Sequence, residues 1–158
     1  MPPWHLLSPD QARAELRRAF HACRQRTLAL ATDLTEAERC RQAHPAFSPI
    51  GWHLGHIAFT EALWILEQLQ GQAIVTPAQR RLFAADGLPK AERQHLPDLA
   101  ASLAFLATVR DRTLAYLDQA PVLDQLRLWL WLLQHESQHL ETATLLLTLH
   151  RWPQPPAG

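Results

Sequence analysis

Apolar residues recur along this chain at intervals of three and four, and nowhere do they alternate with polar ones for the length of a strand. One stripe runs Ala12, Leu16, Ala19, Phe20, Cys23 and Leu30, which assigns Arg13, Arg17, Arg18 and Arg24 to the water-facing side. Ser8-Pro9 opens it: Ser8 caps, Pro9 suits the first helical position and Gln11 completes a capping box. Thr35 with Glu38 offers a second box, for a short helix before Pro45. Another Ser-Pro start, Ser48-Pro49, opens a helix over 50–70 that Gly71 ends. Between 77 and 97 the pattern is broken by Gly87 and Pro89, leaving room for one short helix over 78–84. Two long helices follow, over about 98–119 and about 121–150, ahead of a proline-rich tail.

Val and Ile together number only seven, so the residues that favour strands are scarce. The predicted fold is all-α, a four-helix bundle with a long crossover between its second and third main helices and a tight turn between the last two. Neither a repeat nor a linker divides the chain, and 158 residues suit a single domain over 1–158. Trp4 and Trp152, near the termini, are expected to cap the bundle ends.

Composition removes several classes of function. Fifteen basic and fifteen acidic side chains cancel, which leaves no electrostatic case for nucleic acid. The longest apolar stretches, such as 126–133, fall far short of the roughly 18 residues of a membrane span. Cys23 and Cys40 form no C-x-x-C pair, and no secretory pattern opens the chain. The expectation is a cytoplasmic protein with buried or half-buried thiols. Histidine is the count out of line, at nine.

Two of the nine stand in His135-Glu136-Ser137-Gln138-His139. On a helix, residues four apart share a face, so both imidazoles can converge on one point. Nine scattered histidines would give about half of one such pair by chance, so spacing alone is weak. Leu128, Leu132, Ala143 and Leu146 fall on the same side, which points the pair into the core. Two buried neutral imidazoles need something to accept their lone pairs, either a divalent metal or neighbouring hydrogen-bond donors. Glu136 lies at the edge of that face, beside the metal or solvated, and Glu141 faces the surface.

A third ligand must come from another helix, and Trp52-His53-Leu54-Gly55-His56 supplies two candidates on an aromatic-walled face with Thr60, Leu63 and Trp64. His56, nearer the centre of that face, is the better placed as a ligand, and His53 as a hydrogen-bonded core histidine. H-E-x-x-H also reads as a zinc-protease signature with Glu136 as general base, but no third ligand follows at the required spacing and strands are missing. Glu136-x-x-His139 with Glu92-x-x-His95 would suit a di-iron carboxylate bundle, although the second copy lies in the broken segment.

The run Ser48-Pro49-Ile50-Gly51-Trp52-His53-Leu54-Gly55-His56-Ile57, with Glu61 and Trp64, followed by His135-Glu136-Ser137-Gln138-His139-Leu140-Glu141, resembles the DinB-like four-helix domain. Within that group it is most similar to the N-terminal half of the ergothioneine-biosynthesis sulfoxide synthases. The likeness takes in nearly the whole chain, including Arg80-Arg81-Leu82-Phe83. It implies a non-haem iron held by His56, His135 and His139, with His53 outside the ligand set. The wider group, which includes thiol-dependent transferases and isomerases, uses a similar site for zinc, nickel or other divalent ions. Three neutral imidazoles with open positions suit Fe, Zn, Ni or Co alike.

The sulfoxide synthases also carry a second, larger domain, for which 158 residues leave no room. Two expectations follow. One is a compact metalloenzyme that activates a low-molecular-weight thiol. The other is a metal-binding module without chemistry of its own, whose separate catalytic subunit completes a split synthase-like enzyme. The resemblance also implies a homodimer.

Overall fold

The computed structural model describes residues 4–153. Every regular element within them is helical, as the scarcity of strand formers predicts. Three helices begin with a reciprocal capping box: α1 (Pro9–Asp33) at Ser8 with Gln11, α2 (Glu36–Cys40) at Thr35 with Glu38, and α4 (Pro77–Phe83) at Thr76 with Gln79. Each box satisfies two amides that a first turn leaves without partners. The second Ser-Pro pair behaves differently. No side chain caps α3 (Ile50–Glu61), and the Ser48 hydroxyl instead accepts from Arg93 Nη1 at 3.0 Å. Past Glu61 the helix widens into a π-helical stretch, Ala62–Gln68, and the chain turns at Gly71, whose φ of 67° is the left-handed conformation that glycine adopts without penalty.

α5 (Leu99–Leu117) starts at Asp98, whose carboxylate accepts from the Ala101 amide at 2.7 Å. α6 (Leu126–Arg151) begins later than Pro121. The reason is topological. α1 and α3 each pack against both α5 and α6, so the order around the bundle is α1, α5, α3, α6, and the last two helices stand diagonally. Residues 118–125 must cross the end of the bundle, with Ala120 and Val122 buried beneath them, and the expected tight turn is too short for that path.

Side-chain pairings set the helix directions. Arg24 reaches the Leu106 carbonyl while Arg13 reaches that of Ala120, so α1 and α5 are antiparallel. Arg24 meets Glu136 and Arg151 meets Asp33, so α1 and α6 are parallel. His53 meets His139 and His56 meets His135, so α3 opposes α6. α3 and α5 therefore run side by side in the same direction. Only a connection as long as the helices can join them, which is why the crossover between them is long.

The core joins Leu16 and Phe20 of α1, Leu54 and Ile57 of α3, Leu106 and Val109 of α5, and Trp129 and Leu132 of α6. Ala12, Leu16, Phe20 and Cys23 are buried as the stripe requires, with Ala19 and Leu30 half-buried; Cys40 is half-buried. Arg24 corrects the expectation: it is 6% exposed, inside the bundle. Trp4 packs on the core, whereas Trp152 is exposed and caps nothing.

Candidate metal centre

α3 is the central helix, buried on every side from Ile50 to Ala62, and glycine makes that possible. A Cβ on Gly55 would stand 2.0 Å from the Phe83 ring, so the bare backbone there is what lets α4 press its last residue against α3. Phe83 matters through its carbonyl, which accepts a hydrogen bond from His56 Nδ1 at 2.7 Å. A carbonyl only accepts, so the Nδ1 of His56 carries the proton and its Nε2 is left with a lone pair. The ring is further held by stacking on Trp52, 4.6 Å between centroids at 12°. Trp52 is itself pinned by its Nε1 bond to the Leu82 carbonyl at 2.7 Å and by the Arg93 guanidinium 4.2 Å above it.

His56 Nε2 faces His135 Nε2 across 3.2 Å. Trp131 stacks on the other side of the His135 ring at 5.2 Å. His139, one turn along α6, shares its Nδ1 with Nδ1 of His53 at 2.8 Å, which leaves Nε2 as its unshared nitrogen. One nitrogen from each of His56, His135 and His139 lies within 4.8 Å of the others. His53 is buried beside them, and its Nε2 has no partner.

The electrostatics favour neutral rings. Burial, and after it the neighbouring imidazoles, push His53 and His135 down to about 4 and His139 to about 2. Burial also lowers His56, against the opposing pull of the Phe83 carbonyl. Neutral imidazoles are the ligand form, because a metal takes the lone pair that a proton would occupy. A divalent ion with Zn–N-type bonds of about 2.0–2.1 Å separates its ligand atoms by roughly 3 to 3.4 Å, a spacing the His56–His135 pair already has. The donor set fits such an ion. A pocket of about 520 Å³, walled by Phe59, Thr60, Trp64, Arg80, Asp86 and Trp131, opens onto His56 and His135 and gives the site one open side.

The orientation of α6 differs from expectation by part of a turn. His135 and His139 are half-buried at the rim of its inner face, and the centre of that face is Glu136, 3% exposed. Glu136 is neither solvated nor turned toward the histidines: its carboxylate bonds to Arg24, Arg110 and Thr27. It is unavailable as a protease base or a di-iron ligand. Glu92 and His95 are exposed, off the bundle helices, and Glu141 is exposed as expected. Trp64, roughly 80° round from His56 at ideal helical pitch, stands at the pocket mouth, 42% exposed, not on the inward face.

Sequence reasoning missed the Phe83 carbonyl, which has no side-chain signal, and the His53–His139 bond. It also missed a signal that was present. Arg24 continues the i,i+4 series of Leu16 and Phe20, and Arg110 stands beside Val109 on the stripe of Leu106, Thr113 and Leu117. Charges at stripe positions on several helices announce a buried network.

A four-helix bundle whose second and fourth long helices bring three neutral histidines to one point, open on one side, defines a bundle protein with a candidate metal site. The chain belongs to the DinB superfamily, whose sequence model matches residues 19–143. It is similar to the hercynine oxygenases of Mycolicibacterium thermoresistibile, 39% identical over 141 residues, and Mycolicibacterium smegmatis, 36% over 146. That of Mycobacterium tuberculosis is 36% identical over 148 residues. These alignments cover 87%, 90% and 91% of this chain but 31%, 34% and 34% of the relatives, so the chain spans about a third of their length.

Proposed function

We propose that this chain is the metal-bearing module of a hercynine-oxygenase-like non-haem iron system, with His56, His135 and His139 as the ligands. The observation that carries the reading is the convergence of three neutral imidazole nitrogens within 4.8 Å, with an open pocket on one side. Similarity to proteins named hercynine oxygenase supports iron as the ion. When bound, such an ion supplies Lewis acidity and, for iron, one-electron chemistry with oxygen.

The chain's own contribution is positional. Phe83 and His53 fix which nitrogen His56 and His139 present, and Trp52 and Trp131 hold the faces of His56 and His135. The relatives are about three times as long, and the reading assigns the remaining substrate contacts to a part of the system outside these 158 residues, with cytoplasmic residence.

A second reading rests on the pocket itself. It leaves room beside His56 and His135 for a small molecule, which suits an enzyme that activates a low-molecular-weight thiol at the ion, on zinc, nickel or iron. One titration separates the two. The protein is loaded with Co(II), and its visible spectrum is followed as hercynine or a small thiol is added. A shift with hercynine, and no turnover of thiol with electrophilic acceptors by the chain alone, is the expected result. A response to thiol alone, with turnover, moves the conclusion to the second reading, and silence toward both defeats the two together.

A further inference from the structure

Behind the histidines lies a charge cluster that neither reading uses. Arg24 of α1, Glu61 of α3, Arg110 of α5 and Glu136 of α6 are each 3 to 6% exposed, one from every long helix. Arg110 grips Glu61 with two bonds of 2.9 Å and reaches Glu136 with a third of 2.6 Å. Arg24 meets Glu136 at 2.9 Å and Glu61 at 3.1 Å. The guanidiniums also donate to the carbonyls of Leu106 and Phe20, at 2.7 and 2.6 Å, and Thr27 donates to Glu136 at 2.8 Å.

Two positive and two negative charges sum to zero, so the cluster carries no net charge beside the neighbouring site. Desolvating four charges offsets most of what their attraction returns, and apolar residues of similar volume commonly hold a fold as well or better. Stability is therefore a poor explanation for its presence. Directional bonding is a better one. A bidentate Arg–carboxylate fork is satisfied at one register only, and an apolar layer tolerates several. Glu136 adjoins His135, and Glu61 follows His56 by five residues on the other ligand helix. Sliding α6 along α3 by a single residue would break the bonds of Glu136 to Arg24 and Arg110 and part the histidines.

Building on the metal-centre reading, we infer that Arg24, Glu61, Arg110 and Glu136 form a register lock, and that Glu61 and Glu136 are positioning residues that set His135 and His139 of α6 opposite His56 of α3. The lock acts through helix placement and touches no ligand atom. It connects all four long helices in one bonded unit, so the geometry of the site is an output of the whole bundle.

The test replaces the charges without emptying the space. In the fourfold variant Arg24→Met, Glu61→Leu, Arg110→Met, Glu136→Leu, helical content and melting temperature should hold or rise, while Co(II) affinity falls at least about tenfold and the ligand-field band broadens. The charge-balanced pair Arg24→Met, Glu136→Gln keeps the Arg110–Glu61 fork and should lose about threefold or more. Both are measured well below melting, so that lost stability alone cannot move the readout. Wild-type affinity and band shape in either folded variant would overturn the lock, and so would unfolding of both, which would make the cluster a stability device. A wild-type chain that binds no Co(II) defeats the metal reading instead. In that event the imidazole ¹⁵N–¹H spectrum of metal-free protein still decides: the lock predicts one set of ring signals in wild type and several in the variants, and identical spectra refute it.

Discussion

His53 and His56 stand one helical turn apart, both buried, and their neighbours separate their roles. His56 gives Nδ1 to the Phe83 carbonyl and turns Nε2 toward His135; His53 spends Nδ1 on His139 and leaves Nε2 without a partner. Removing an outer partner of a metal ligand costs about 10–100-fold in affinity. His53→Ala should accordingly weaken metal binding by about that factor in a competition titration and leave one ion per chain at saturation. Complete loss of the ion would make His53 a ligand. Gly55 is the other residue on which His56 depends. In Gly55→Ala the methyl group would meet the Phe83 ring at 2.0 Å, and α4 has to withdraw with its carbonyl. The expected result is destabilisation of about 1–3 kcal/mol by overpacking, read by denaturant unfolding, together with weaker metal binding. Phe83→Ala should cost less stability in the Gly55→Ala background than in wild type, because it makes room for the methyl group, and equal costs in the two backgrounds would place the strain elsewhere.

At the scale of elements, α6 is held at its C-terminal end by α1 and α2. Arg151 at its C-terminal end bonds to Glu38 of α2 and to Asp33 of α1, and the Arg151 and Thr35 bonds together hold the Glu38 carboxyl down from 4.5 to about 2. A depressed carboxylate stabilises the folded state above its unfolded value and loses that contribution as pH falls through its folded value. Wild type should therefore melt above Glu38→Gln from neutral pH down to about 4.5, and the difference should shrink to nothing near pH 2. A difference that persists unchanged at the acid end would contradict the clamp. Most elements were legible in the sequence because they are local: capping boxes mark where α1 and α2 start, and Gly71 marks where the α3 segment stops. The start of α6 was not, since Pro121 imitates a first helical residue while the real start is set by a path across the bundle end. The misjudged stripe of α1 has the same origin. Arg24 looks like a surface residue until its two carboxylate partners, 37 and 112 positions away, are brought beside it.

For the molecule as a whole, the sequence motifs identified which histidines belong together, because i,i+4 spacing and the G-W-H-L-G-H-I run are local patterns. The tautomers and the charge cluster arise only when separate helices meet, α4 on α3 at His56, α3 on α6 at His139 and all four long helices at the charges, and no single segment records them. The parallel pair α3 and α5 makes the crossover long, and the crossover in turn delivers Phe83 to His56 and Arg93 to Trp52. Topology and site are thus linked through two residues of a connection. The proposed function depends on one claim, that His56, His135 and His139 hold a single ion. Elemental analysis of the purified protein, joined to an anomalous-scattering map of its crystals, tests that claim most directly. The account predicts one divalent ion per chain, within bonding distance of those three side chains and lost from a still-helical His135→Ala protein. A folded chain free of metal, or an ion seated on other residues, would contradict it.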